Sequence, residues 1–530
     1  MDITGKNIIA GMTVAGGPRT FRAFNPATLQ NLEETFHCAS ASDAGLAVEK
    51  AAAAFPLFSS RTPEERALFL EAIATEIEAL GNRLIERAVA ESGLTETRLT
   101  GERGRTTGQL RMFASLLREG SWVEATIDLA LPARQPAPKP DIRSMLVPIG
   151  PVVVFSASNF PLAFSTAGGD TASALAAGNP VIVKAHPSHP GTSELVAHAI
   201  VKAARDTGMP EGIFSHLNDD SYETGLTLVT HPLTAAVAFT GSFSGGMALH
   251  RAAAGREKPI PLFAEMGSVN PVVLLSASLN ESAEKSAAQL AASVTLGTGQ
   301  FCTKPGIIIA EAGEGYRRFE AAFASEMGKI QASTLLNERI SAGYRSKIES
   351  LTRENQVTYL TDASAVLSEA GLKGRPLAAT VTGERFLAYS NLHEEVFGPF
   401  ALLVSCSSND EMKRVLAALG GQLTVTLFAA PADLSANSQL LQVVRDMAGR
   451  LILNGVPTGV EVCHAMQHGG SWPATTDSRF TSVGTRAIRR FVRPVSYQNW
   501  PDELLPAELR NGNPLAILRL VDGTYTRNSL

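Results

Sequence analysis

Residues 296–306 read L-G-T-G-Q-F-C-T-K-P-G and place Cys302 between a glycine-rich approach and a Pro-Gly exit. A cysteine attacks as its thiolate, so a reactive one needs neighbours that take its proton or favour its charge. Residues 281–294 are alanine-rich with a helical apolar rhythm, and Ile307-Ile308-Ile309 is a β-type run. Cys302 therefore falls at a helix-to-strand loop, where rigid scaffolds tend to carry their reactive groups. The plainer reading of a lone cysteine is buried packing. The flanking glycines, which let a backbone approach a ligand closely, favour the reactive one.

Other stretches carry chemistry of a kind that could serve such a thiol. Phe263-Ala264-Glu265-Met266-Gly267 puts a carboxylate at an apolar strand end, where burial would raise its pKa toward the range of a general base. Ser158-Asn159-Phe160-Pro161 follows a strand, and an Asn amide there could donate to a developing oxyanion. Lys184 ends P-V-I-V-K and precedes A-H-P-S-H-P-G, at the kind of strand end where open α/β sheets collect ligands. Thr240-Gly241-Ser242-Phe243-Ser244-Gly245-Gly246 follows a strand and opens a helix whose first N–H groups could hold a phosphate. Each stretch also has an ordinary reading as a turn, a cap or a solvated charge. Gly297-x-Gly299 follows a helix rather than a strand, so it is rejected as a phosphate loop.

The elements that must position these residues read as α/β. Strands at 152–155, 181–183 and 235–239 alternate with helices at 171–177, 193–204 and 244–254, and a second α/β region runs over 269–454. That alternation predicts a mostly parallel sheet covered on both faces. Upstream, Thr62-Pro63-Glu64-Glu65 is a capping box with proline at the first helical position, and its helix is expected to stop at Gly81. Another helix is expected over Arg105 to Glu119. The prolines of Leu131 to Pro140 rule out a helix interior and predict an extended arm.

With 530 residues, 45% hydrophobic and 18% charged, the chain can bury a large core. A net charge of -5 gives no general attraction to nucleic acid or anionic membrane. Cys38, Cys302, Cys406 and Cys463 are far apart, so neither a disulfide framework nor a metal site is expected. The first residues lack a signal-peptide pattern, and no run is long enough to span a bilayer. A reducing cytoplasm is the expected compartment.

Taken together, N-F-P, V-I-V-K, F-T-G-S, A-E-M-G, G-Q-F-C-T-K-P-G and Glu394-Glu395-Val396-Phe397-Gly398-Pro399 resemble the aldehyde dehydrogenase superfamily in order and spacing. The resemblance implies Cys302 as nucleophile, Glu265 as general base and Asn159 as oxyanion donor. It implies Lys184, Gly241, Ser242 and Gly245 at the cofactor, and Glu395 and Phe397 at its nicotinamide ribose. It also implies two Rossmann-like domains, one for the dinucleotide over residues 1–125 and 147–262 and one for the thiol over 263–460. An oligomerisation arm would comprise 126–146 and 488–505, with a C-terminal extension over 506–530, in a homodimer or homotetramer.

Two departures from the family pattern bear on specificity. Many NAD-preferring members carry a glutamate where this chain has Pro187, so the ribose carboxylate is missing and Lys184, with His186 or Ser188, could serve a 2′-phosphate. NADP is therefore expected, with NAD still usable. Val269 stands where the family more often has lysine. These variants look like the branch of α-ketoglutaric semialdehyde dehydrogenases, with NADP-dependent fatty aldehyde dehydrogenases as the alternative. Further readings are a coenzyme A-acylating relative, a cofactor-binding protein without catalysis, and a cysteine hydrolase. The last would need a histidine, and none lies near Cys302 in sequence. Candidate channel residues are Phe160, Phe164, Gln109 and the 463–472 stretch, with Arg105 and Arg111 on the helix at the mouth.

Overall fold

The computed structural model describes residues 2–354 and 356–530 and has the expected α/β class, built on two seven-stranded sheets. Across the first, the strands run Leu262–Glu265, Ala236–Thr240, Val152–Phe155, Val181–Lys184, Phe214–Leu217, Asn7–Ile9 and Met12–Val14. The first five are parallel; the last two form an antiparallel edge. The central strands are apolar on both faces because both are covered. Val152, Val154, Val181 and Val183 enter one core, while Val153, Ile182 and Val237 enter another.

Chain order sets the position of the site. From Val152–Phe155 the sheet grows outward through Val181–Lys184 and Phe214–Leu217, then returns to the opposite side with Ala236–Thr240. The switch point lies between Val152–Phe155 and Ala236–Thr240, and crevices for ligands open at the carboxyl ends of such strands. Asn159 and Gly241 leave from those two ends.

The second sheet runs Thr358–Tyr359, Leu377–Thr382, Phe400–Cys406, Ile307–Glu311, Val272–Leu274, Gln422–Phe428 and Ala448–Leu453, parallel except for its first, edge strand. The run Ile307-Ile308-Ile309 is its middle: Ile307 and Ile309 face one core and Ile308 the other.

The capping box forms, with Thr62 and Glu65 exchanging bonds, and Pro63 opens the helix Pro63–Ala79. The helix stops where expected: Leu80 is its C-cap and Gly81 follows with φ +58°, the left-handed conformation glycine takes past a helix end, and the same glycine opens the next helix, Gly81–Ser92. The helix expected from Arg105 begins earlier, as Glu96–Glu119, with Thr95 as its N-cap. Gly101, Gly104 and Gly108 interrupt its apolar rhythm, which is why its first two turns were not evident.

Residues 131–140, expected to be an extended arm, are not themselves a strand of it. Residues 131–140 form the turn between Thr126–Asp128 and Ile142–Pro148, closed by a bridge from Leu131 to Lys139. It is Ile142–Pro148 that pairs with Val492–Gln498. Proline offers no N–H to a ladder, so a segment with four prolines serves better as a loop than as a strand. Residues 506–530 add two more strands, Arg519–Val521 and Thr524–Thr526, to the same five-stranded sheet.

Candidate active site

The helix Ser276–Thr295 delivers the chain to a tight turn at residues 296–299, and Cys302 follows in a loop before the strand Ile307–Glu311. Gly299 is needed in that turn. Its φ is +66°, and a Cβ there would lie 2.3 Å from the Gly398 carbonyl carbon. The glycine pattern that had suggested half a phosphate loop thus lets the thiol loop press against the E-E-V-F-G-P segment. Asn270 fixes the loop from below, its Nδ2 donating to the Cys302 carbonyl at 2.8 Å and the Lys304 carbonyl at 3.0 Å.

Glu265 ends the strand Leu262–Glu265 and is buried. The Cys302 thiol, the Glu265 carboxylate and the His468 ring have ligand-type atoms all within 4.8 Å of one another. His468 Nε2 lies 3.5 Å from Cys302 Sγ and 3.0 Å from Glu265 Oε1. Ser482 donates its hydroxyl to Glu265 Oε2 and, with its backbone N–H, to the His468 carbonyl. Sequence reasoning reached His468 only as part of the 463–472 channel stretch and gave it no role. It is 166 residues from Cys302, in irregular chain with no periodic signal. No histidine lies near Cys302 in sequence, but the fold brings a remote one to it.

The expected rise in the Glu265 pKa is also corrected. Burial pushes it up, but the electrostatic pull of His468 and hydrogen bonds from His468, Ser482 and Cys302 outweigh that, and the net shift is downward. Cys302 moves the other way. Burial, then the Glu265 charge, hold its pKa well above the thiol range, against the pull of Arg105. At neutral pH this is an ionised carboxylate beside a protonated thiol, with an imidazole touching both.

Asn159 Nδ2 donates to the Gln300 carbonyl at 3.0 Å, two residues from Cys302. One of its two amide hydrogens is so used, which leaves the second for another acceptor. Arg98 holds the Asn159 backbone, donating to its carbonyl at 2.6 Å. Phe160, Phe164 and Phe301 pack as a buried aromatic group with centroids 5.3 Å apart along the series. Of the other channel candidates, Gln109 is buried against Gly169. Trp472 is exposed, edge-on to Phe243, and Arg111 faces outward to Glu78.

On the cofactor side, Lys184 ends its strand with Nζ donating to the Asp219 carbonyl at 2.6 Å. Burial lowers its pKa to about 8, against the carboxylates of Asp219 and Asp220. His186 is held well below its usual pKa by burial and by the charges of His189 and Lys184, so its ring is neutral at pH 7. Ser188 accepts a bond from Asn337 Nδ2 at 3.0 Å. Gly241 and Ser242 lead into the helix Phe243–Ala254, where Ser242 Oγ accepts from the Gly245 N–H at 3.2 Å. A Cβ on Gly246 would lie 2.7 Å from Met266 Sδ, so this helix sits tight on its sheet with exposed first-turn amides. That cradle suits a pyrophosphate. Glu395 reaches the Gly267 backbone, and its charge is felt at Cys302. Burial raises the Glu395 pKa, and burial lowers that of its partner Lys304, whose Nζ donates to the Val396 and Phe400 carbonyls. Phe397, half-buried, follows two residues later.

The chain matches the model of the aldehyde dehydrogenase family over residues 13–473. It is 50% identical over 524 residues to alpha-ketoglutaric semialdehyde dehydrogenase 2 of Azospirillum brasilense, covering 99% of each chain. It is 45% identical over 525 residues to alpha-ketoglutaric semialdehyde dehydrogenase of Acinetobacter baylyi, again covering 99% of each. In fold it resembles methylmalonate-semialdehyde dehydrogenase from Oceanimonas doudoroffii, with a TM-score of 0.80 at 19% identity over 94% of this chain and 99% of that one.

Proposed function

The chain belongs to the aldehyde dehydrogenase family, and from that premise we propose that it oxidises α-ketoglutaric semialdehyde to 2-oxoglutarate with NAD(P). It is an oxidoreductase acting on aldehydes. The substrate reading rests on the two full-length relatives, which carry that name rather than a fatty aldehyde's. The observation that carries the chemistry is the convergence of Cys302, Glu265 and His468 within 4.8 Å.

The sequence of events follows from the side chains. Cys302 rests as a thiol and gives up its proton to the Glu265–His468 pair as it adds to the aldehyde carbon. The alkoxide so formed accepts from the free Asn159 amide hydrogen. A preorganised donor of this kind is worth about 3 kcal/mol in other enzymes. The nicotinamide, when bound, supplies the hydride acceptor. Cys302 is left as a thioester; the pair passes the thiol proton to solvent, and Glu265, ionised again, takes a proton from the water that hydrolyses the thioester and returns it to the departing Cys302 thiolate. Lys184, Gly241, Ser242 and Gly245 would hold the dinucleotide's ribose and phosphates, and Glu395 and Phe397 the nicotinamide ribose. His186 and Ser188 stand at the adenosine end.

On cofactor choice, Pro187 carries no carboxylate to bond a ribose diol or repel a phosphate, which favours NADP. His186 is neutral and Lys184 shares its field with Asp219 and Asp220, so the preference is modest. The free edge of Val492–Gln498 supports a homodimer or homotetramer.

The test is a 340 nm assay with α-ketoglutaric semialdehyde, without coenzyme A. Cys302→Ser is expected to lose turnover while retaining cofactor binding by fluorescence titration. Wild-type turnover in that variant would overturn the role of Cys302, and a requirement for coenzyme A would overturn hydrolysis by Glu265.

A further inference from the structure

Arg105 lies on the helix Glu96–Glu119, two turns after Arg98, and both guanidinium groups face the aromatic cluster. Each has one buried nitrogen without a hydrogen-bond partner, Nη1 of Arg98 and Nη2 of Arg105, but only Arg98 is otherwise hydrogen-bonded. Arg98 donates to the Asn159 carbonyl and stacks 4.5 Å from the Phe301 centroid. Arg105 stacks on Phe164 at 5.3 Å and Phe160 at 6.0 Å, and its Nη2 is buried with no hydrogen-bond partner. Among the described residues Arg105 forms no ion pair, whereas the outward-facing Arg111 is held by both oxygens of Glu78.

The charges around Arg105 are Cys302, Glu102, Glu265 and Glu461. None completes its fork. Glu102 turns one oxygen to the Leu162 and Ala163 N–H groups. Glu265 is taken by His468 and Ser482, and Glu461 is exposed. Arg450 also lies within the field of Cys302, but its guanidinium is committed to the Gly459 and Pro457 carbonyls.

A largely buried arginine without hydrogen bonds is costly, and the cost is removed when an anion fills the fork. We propose that Arg105 is the binding residue for the distal carboxylate of the substrate, and that it makes this enzyme selective for short ω-oxo acids over neutral aldehydes. The placement fits a short acid. Phe301 adjoins Cys302 in sequence, Phe164 stands 6.2 Å from His468, and Phe160 bridges Phe301 and Phe164. Methylene groups held across this aromatic wall, with the aldehyde at Cys302, leave the carboxylate to the cation stacked on Phe160 and Phe164. The inference deepens the reading of the substrate given above and rests on it.

The test compares kcat/KM for α-ketoglutaric semialdehyde with that for pentanal, a neutral chain of the same length, and uses their ratio. Arg105 also acts on the Cys302 thiol, and a ratio cancels that shared effect. Arg105→Met is expected to lower the ratio about 10- to 100-fold, the effect of losing a charge-assisted pair. Arg105→Lys should lower it less, and Arg111→Met should leave it unchanged. Equal losses for both substrates in Arg105→Met would overturn the proposal and make Arg105 a structural or thiol-tuning residue. A wild-type ratio near one would overturn the substrate reading instead. Inhibition of pentanal oxidation by 2-oxoglutarate then decides on Arg105: inhibition relieved by Arg105→Met upholds the carboxylate site, and none in the wild type overturns it.

Discussion

Replacing Glu265 by glutamine should make Cys302 easier to ionise, although it removes the residue assigned as the base. The wild-type thiol is held protonated by burial and then by the Glu265 carboxylate, which also accepts its hydrogen bond. The two groups have reacting atoms within 4.8 Å. At an effective dielectric of about 20 a unit charge at that distance is worth roughly 3.5 kcal/mol. His468 lies 3.0 Å from the same carboxylate and offsets part of its field. The thiol pKa is therefore expected to fall. The assay is the pH dependence of iodoacetamide alkylation of the cofactor-free enzyme. Cys463, the other partly exposed thiol, is changed to serine in both forms, since Cys38 and Cys406 are buried. Thiolate is the reacting species, so the midpoint of the rate profile should move to lower pH in Glu265→Gln. Thioester hydrolysis should slow in the same variant, giving a burst of reduced cofactor before a slow steady state. A midpoint that stays in place or rises would refute the claim that the Glu265 charge keeps Cys302 protonated.

Two further outcomes are expected. Wild-type kcat/KM for NADP should exceed that for NAD by less than about tenfold, a limit set by a partly screened Lys184, and Asp220→Asn should raise the ratio because it removes a carboxylate from the Lys184 field; a wild-type preference for NAD of tenfold or more would show that another group sets the choice. Light scattering at micromolar concentration should give a dimer or tetramer, and a monomer would contradict an assembly built on the edge of Val492–Gln498.

What could be read from the sequence was what lies within a few residues of itself. Lys184 ends, and Gly241 and Asn159 follow, a short apolar run that reads as a buried strand, so their place at strand ends is legible without any contact. The capping box of Thr62 and Glu65 is likewise a three-residue relation. His468 was not legible, because its position depends on a loop held by bonds from Thr481 and Ser482 and by no repeat. That single omission reversed the expected pKa shift of Glu265. Burial is legible at an apolar strand end, but the partner that outweighs it comes from a segment remote in the chain. Arg105 and Arg111 pose a related problem. They are six residues apart, about one and two-thirds turns of helix, and therefore leave on different faces. With the apolar rhythm broken by three glycines, nothing local says which face is inside. The distinction comes from tertiary contacts: Glu78 claims Arg111, and Phe160 and Phe164 claim Arg105. The motifs thus identify the reaction, while the residues that tune the thiol and choose the aldehyde are positioned by contacts between segments far apart in the chain.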